Sequence, residues 1–125
     1  MVRTKRVYEP PARGDGYRVL VDRLWPRGIR KEALEHDAWL RDLAPSTELR
    51  KRFHGKPERF QEFEAAYLKE LRSPEVQPLL DELTKLARRR TVTLLFAARD
   101  TERNNAVVLA REINRRLEQE STVRV

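Results

Sequence analysis

The chain has 125 residues, of which 39% are hydrophobic and 38% charged, and its 27 Lys and Arg against 20 Asp and Glu give a formal net charge of +7. That length suits one domain with one hydrophobic core. Cysteine is absent, which excludes disulfides, thiolate metal ligands and cysteine nucleophiles. No apolar run approaches the ~20 residues that span a bilayer, so we expect a soluble cytoplasmic protein with no membrane partner.

Three segments have the composition of β-strands. Residues 2–8 carry three basic side chains, which is typical of an edge strand. Residues 17–22 (YRVLVD) are rich in apolar and β-branched side chains and predict a buried strand. The nearly continuous apolar run at 91–98 (TVTLLFAA) predicts a central strand that is covered on both faces.

Four helices are predicted between and after these strands. Ser46 is the expected N-cap of a short helix, and Pro57 suits the first position of a helix over 57–72. A third helix begins at 74 or, because Pro78 lacks a backbone donor, near 78. The last one spans about 102–118.

Strands that occur early and late, with helices between them, predict an α/β domain. We expect a single compact domain over residues 1–118, with a small, mostly parallel or mixed sheet and helices on both faces. Residues 119–125 are expected to be a C-terminal tail or a short terminal strand.

Polar residues follow two of the predicted strands at their carboxyl ends, where α/β folds bind ligands. If strands 17–22 and 92–97 are parallel neighbours, both polar groups meet at one edge of the sheet. A helix N-terminus beside Arg99 would attract an anion, with Asp100 or Thr101 as the expected N-cap. The candidate ligand-binding residues are therefore Asp22, Arg23, Arg27, Arg99, Asp100 and Asn104.

A purely structural interpretation of the same residues stays open. An acid at the end of a buried strand must be paired or functional, and an Asp22–Arg99 ion pair would satisfy both residues. Arg23 and Arg27 would pair with nearby acids, and Trp25 would pack in the core. Neither His36 nor His54 has metal-ligand spacing, so no metal site and no cofactor is predicted.

Several segments together identify a family. KRVYEPP, DGYRVLVDRLWPRG, DAWLRDLAPS, LLFAARD and NNAVVLA occur in this order, and the chain resembles the bacterial YeaO-like proteins of domain-of-unknown-function family 488 over residues 3–117. The resemblance implies a compact cytoplasmic α/β domain without an established activity, so no catalytic residue is carried over. Its signature positions are Asp22, Arg23, Trp25, Pro26, Arg27, Gly28, Asp37, Trp39, Pro45, Arg99 and Asp100.

Three functions are compatible with these observations. The favoured one is binding of a small anionic ligand, phosphorylated or carboxylated, at the strand carboxyl ends. The alternatives are a nucleic-acid-binding protein, driven by its basic charge, and a non-catalytic structural or protein-interaction module. The sequence leaves open whether the protein is an enzyme and what its oligomeric state is.

Overall fold

A four-stranded parallel sheet forms the centre of the molecule. The computed structural model describes the backbone of residues 1–123 and the side chains of residues 1–120. The strands are β1 (Val2–Arg6), β2 (Tyr17–Leu20), β3 (Ala38–Trp39) and β4 (Val92–Phe96), in the order β1-β4-β2-β3 with every pair parallel. Every residue of β4 is buried. The single compact α/β domain, the edge position of β1 and the central position of β4 are thus confirmed.

The four helices are α1 (Thr47–Phe53), α2 (Phe60–Leu71), α3 (Gln77–Arg89) and α4 (Asn105–Val123). Ser46 caps α1, because its Oγ accepts a hydrogen bond from the Leu49 N–H at 3.1 Å. Pro57 opens a short 3-10 turn that precedes α2. Pro78 lies in the first turn of α3, where a missing backbone donor costs nothing.

All four helices pack on one face of the sheet, and this corrects the expectation of helices on both faces. The large core joins side chains from every helix to β-strand residues such as Val19 and Leu94. The opposite face has a smaller core of Val7, Leu20, Leu34 and Leu95, and loops cover it. The segments that connect β1 to β2 and β2 to β3 lack helical periodicity and are broken by Pro and Gly, so they cross that face as irregular chain.

A buried ion cluster fastens the loop that covers this second face. The Asp15 carboxylate lies 3.0 Å from Lys5 Nζ and 2.5 Å from Arg18 Nη1. Asp15 and Arg18 are only 5% and 6% exposed, so their charges must be paired. Gly16 follows with a φ of 64° against the Thr91 carbonyl, where a Cβ would lie 2.2 Å from that oxygen. Only glycine fits there.

The outer edge of β1 is paired by a side chain. Asn114 of α4 donates to the Val2 carbonyl and accepts from the Val2 N–H, both at 3.2 Å. One carboxamide thereby takes the place of a neighbouring strand at this position.

The last helix differs from its prediction at both ends. It begins at Asn105 instead of 102 and continues through Val123. Residues 119–123 of the expected tail or terminal strand are therefore helical, and residues 124 and 125 lie outside the described part of the chain. The domain boundary at 118 stays a prediction.

Candidate functional site

A cleft of about 180 Å³ opens beyond the carboxyl ends of β2 and β4. The two strands are parallel neighbours, so the residues that follow them meet at this edge as the sequence predicted. The middle of α1, the first turn of α2 and the N-terminus of α4 close the other sides. The lining residues are Asp22, Arg23, Leu24, Pro45, Arg50, Phe63, Ala98 and Asn105.

Asp22 is held at the base of the cleft by backbone and amide donors. Its Oδ2 accepts from the Ala97 N–H at 2.9 Å, and its Oδ1 accepts from Asn105 Nδ2 at 3.2 Å. Burial raises the pKa of the Asp22 carboxyl above its ordinary value, although these two hydrogen bonds and the charge of Arg50 partly offset the effect. The cleft therefore contains an acid whose protonated form is favoured by its surroundings.

Arg23 is anchored to the chain just before α1. Its Nε donates to the Pro45 carbonyl at 3.0 Å, and its Nη2 donates to the Ala44 carbonyl at 3.1 Å. A guanidinium has five N–H donors, and the remaining ones have no hydrogen-bond partner among the described residues. Arg23 thus brings a fixed positive charge with unused donors to the cleft wall.

Arg50 is the charged residue of the cleft lining that the sequence did not indicate. It lies on α1, is exposed, and has no side-chain hydrogen bond or ion pair within the described chain. In the sequence, the run Arg50-Lys51-Arg52 is fully explained as a basic helix C-terminus that complements the helix dipole. The Ser46 cap predicts where α1 begins in the sequence. It does not predict that α1 lies beside the carboxyl end of β2 in the fold.

Four of the six predicted site residues, Arg27, Arg99, Asp100 and Asn104, lie outside the cleft lining. Arg27 and Arg99 are both exposed, and neither side chain makes an ion pair with any described residue. The proposed Asp22–Arg99 ion pair is wrong, because the Ala97 N–H and the Asn105 amide already satisfy Asp22. The backbone between Phe96 and Asp100 carries Arg99 out to solvent.

Asp100 and Asn104 shape the entry to α4. Asn104 is the N-cap, since its Oδ1 accepts from the Val107 N–H at 2.9 Å, so the expectation of Asp100 or Thr101 as the cap is wrong. The Asp100 carboxylate instead accepts from the N–H groups of Glu102 and Arg103, each at 3.0 Å. These two bonds lower the pKa of Asp100 and make a turn before the helix.

Several signature residues around the cleft have structural roles. The ring of Trp25 packs edge-on against Trp39, with ring centres 5.4 Å apart, as expected of a packing residue. Trp39 Nε1 donates to the Asp22 carbonyl at 2.7 Å. The Asp37 carboxylate accepts from the Arg18 N–H at 2.8 Å, and so it fixes the loop beside β2.

Several of the basic side chains outside the cleft are paired with acids. Ion pairs join Arg59 to Glu62, Arg88 to Glu120, Arg103 to Asp100, Arg111 to Glu64, Arg115 to Glu112 and Arg116 to Asp81. These ion pairs account for part of the charged surface. Within residues 1–123, none of the helices has the length and apolar character to cross a membrane.

Comparison with known proteins places the chain in a family. A family model described as the inactive DUF488-N3 subclade, DUF488-N3i, matches residues 1–124. The chain belongs to this family. The uncharacterized protein YeaO of Escherichia coli is 47% identical over 109 residues, which are 87% of this chain and 93% of YeaO. The uncharacterized protein Rv3073c of Mycobacterium tuberculosis is 48% identical over 115 residues, 92% of this chain and 95% of its own.

No solved structure matches the chain significantly. The resemblance to YeaO-like proteins is confirmed, and with it a family whose compared members are uncharacterised. The DUF488-N3i assignment therefore brings no ligand and no reaction to the cleft, and its chemistry has to be argued from its own residues.

Proposed function

We propose that this protein binds a small carboxylated or phosphorylated molecule in the cleft at the strand carboxyl ends and does not transform it. The observation that carries the proposal is that two arginines border one cleft: Arg23, anchored on two carbonyls, and Arg50, whose side chain makes no hydrogen bond or ion pair among the described residues. Two guanidinium groups with open donors on one cleft suit the oxygens of a carboxylate or phosphate.

The acid at the base of the cleft adds a second requirement on the ligand. Asp22 and the Asn105 Oδ1, which has no donor among the described residues, both present oxygens to the space that the two arginines border. A ligand that fits both sides carries a hydroxyl or ammonium group near its anionic group. The raised pKa of Asp22 lessens its repulsion of the anion.

A binding role without catalysis agrees with the description of the family as inactive. Nucleic-acid binding is less well supported, since it requires a basic face with exposed aromatic side chains, and Tyr8 is the only exposed aromatic residue among the described side chains. A protein-interaction role also has little support, because the exposed large hydrophobic side chains of the described surface are only Met1, Tyr8 and Leu24.

The proposal is tested by titrating isotope-labelled protein with inorganic phosphate and with acetate while amide NMR shifts are recorded. We expect saturable shifts around residues 22–24, 45–50 and 97–105. Arg50→Ala should weaken phosphate binding about tenfold, the effect of losing one charge-assisted hydrogen-bonding group.

Lys51→Ala is the matched control, because it removes a neighbouring exposed charge of the same helix that does not line the cleft. Its binding constant should equal that of the unmodified protein, as should that of Arg99→Ala. Equal losses in all three variants would mean that the anions respond only to net charge, and the proposal would then be wrong.

A further inference from the structure

The cleft that Arg23 and Arg50 border is the arginine cleft. A second hollow of about 210 Å³ lies next to it. Its lining residues are Phe53, Gly55, Lys56, Pro57, Phe60, Phe63, Asp100 and Arg103. Phe63 lines this hollow and the arginine cleft as well. The two spaces are therefore separated by no more than one side chain.

Three chain segments run alongside both spaces. Helix α1 faces the cleft with Arg50 and the second hollow with Phe53, one turn later. The loop after β4 contributes Ala98 to the first and Asp100 to the second. Phe63 of α2 is common to both, so the two spaces form one trough between α1, α2 and this loop.

The wall of the second hollow is aromatic and partly open to solvent. The rings of Phe60 and Phe63 are stacked with centres 5.8 Å apart and planes 28° from parallel, and both rings are half-buried. Phe53 packs edge-on against Phe63, with the two ring centres 5.9 Å apart. A flat apolar wall of this kind accepts a further planar ring by offset stacking or edge contact.

The charges along the trough are arranged unevenly. At the far end Lys56 is exposed and has no side-chain partner among the described residues, whereas Arg103 is engaged with Asp100 at 3.1 Å. Free cations thus stand at both ends of the trough, Arg50 at one and Lys56 at the other, with aromatic rings between them. The end with Arg23 and Arg50 offers two guanidinium groups against the single ammonium of Lys56 at the other end, so the trough best suits a molecule that is anionic at the arginine end and flat in the middle.

We infer that the trough binds a single aryl phosphate or aryl carboxylate, with its anionic group between Arg23 and Arg50 and its planar ring against Phe60 and Phe63. This inference rests on the proposed function, since it uses the same arginines for the anion. Together the two spaces reach the size of small-ligand sites, which begin at about 300 Å³.

The test compares inorganic phosphate, methyl phosphate and phenyl phosphate on the unmodified protein by the same NMR titration. Phenyl phosphate should bind at least about fivefold more tightly than methyl phosphate, the lower end of what aromatic stacking contributes. The comparison of ligands does not depend on whether any variant folds.

A pair of variants then locates the ring. Phe60→Leu keeps an apolar side chain in the wall but removes the stacking face, and it should abolish most of the preference for phenyl phosphate while leaving phosphate binding unchanged. Tyr8→Leu, which alters an exposed aromatic residue outside the trough, should leave the preference intact.

The outcomes separate this inference from the proposed function. If phosphate binds through Arg50 but phenyl phosphate binds no better than methyl phosphate, the ring site is wrong and the anion site stands. A preference for phenyl phosphate that survives Phe60→Leu also overturns the ring site. If no phosphate ester binds, the proposed function fails and this inference fails with it.

Discussion

Asp22 is the residue whose charge is least suited to its surroundings. Its carboxyl follows a core strand, accepts hydrogen bonds from one backbone N–H and one amide, and makes no ion pair with any of the described side chains. Burial is the largest influence on its pKa and raises it above the ordinary value of 3.8. Asp22 therefore stabilises the fold more in acid than at neutral pH, which is the opposite of the usual behaviour of an aspartate.

We expect Asp22→Asn to remove this dependence. The folded pKa is raised, so the protonated acid stabilises the fold fully below pH 3.8, and that stabilisation is lost as the pH rises through the folded pKa. The free energy of unfolding of the unmodified protein relative to the variant should thus fall from acid to neutral pH. Urea denaturation over a pH series measures this difference.

Asp42→Asn is a suitable control for the Asp22 experiment, because Asp42 is an exposed aspartate outside the cleft. A difference between unmodified protein and Asp22→Asn that is constant with pH, or that grows toward neutral pH, would contradict the expected role of burial.

The sequence was sufficient to indicate part of the cleft at the level of single residues. Asp22 and Arg23 were found because polar residues that end an apolar strand stand out from it. Arg50 was not found, because a basic residue within a charged helix has many ordinary explanations. Arg99 also follows an apolar strand and was therefore included among the candidates. Two residues of irregular chain after β4 are nevertheless enough to turn its side chain to solvent.

At the level of elements, β1 shows how an edge strand is protected. Asn114 satisfies both backbone groups of Val2, and the Glu9 carboxylate accepts from the Arg6 N–H at 2.9 Å. Val2, Thr4 and Arg6 turn their backbone N–H and C=O groups toward the open edge of the sheet. Among the described residues, only Thr4 has no side-chain partner there. An open edge is a template for pairing with another chain, and here two side chains interrupt it.

Asn114→Ala should lower the free energy of unfolding by about 2 kcal/mol, roughly 1 kcal/mol for each lost hydrogen bond. It should also increase self-association, since it uncovers the start of the edge. Thermal denaturation and light scattering on heating measure the two effects.

Arg115→Ala on the same helix loses only a surface ion pair with Glu112, which is worth less than about 1 kcal/mol. If Asn114→Ala were as stable and as monodisperse as Arg115→Ala, the contact with Val2 would have no protective role.

The elements that the sequence predicted well are those with strong periodicity or clear caps, such as β4 and α1. Strand β3 was missed because two residues cannot show a period. Because β3 was not predicted, the place of α1 in the fold could not be predicted either, since α1 follows β3 closely in the chain. The start of α4 was placed early because Asp100 and Thr101 are good capping residues in sequence, whereas the buried Asn104 takes that role in the fold.

At the level of the whole molecule, the two sides of the sheet are held by different forces. One side is a continuous apolar core under four helices. The other combines a small apolar cluster with the Lys5–Asp15–Arg18 ions, and Arg18 Nε also donates to the Glu35 carbonyl at 2.6 Å. Loops thus take the place of a helical layer because buried ion pairs and hydrogen bonds hold them down.

Asp15→Asn should destabilise the protein by about 3–5 kcal/mol, because it leaves buried cations without their acid. Burial favours a higher pKa for Asp15, but hydrogen bonds from the Ala12 N–H, Lys5 and Arg18 outweigh it, so the pKa is lowered. The stability from Asp15 is therefore present above pH 3.8 and is lost as the pH falls through the lowered pKa. The variant should lack this loss in acid.

Glu62→Gln is the comparison for Asp15, since it breaks an exposed ion pair with Arg59 and should destabilise the protein far less than Asp15→Asn does. Unfolding of both variants by urea between acid and neutral pH gives the measurement. Similar costs for the two variants would show that the cluster beneath the loop contributes little.

The strand order has a consequence for how the chain acquires its structure during synthesis. β1 and β2 are not in contact with each other but are joined through β4, which is translated some seventy residues after β2 ends. A nascent chain can form the short β2–β3 pair and its helices, yet its first strand has no partner until Phe96 has left the ribosome. Closure of the sheet is accordingly a late, long-range step, and such steps slow folding. Until then the apolar residues of β2 depend on other protection from aggregation.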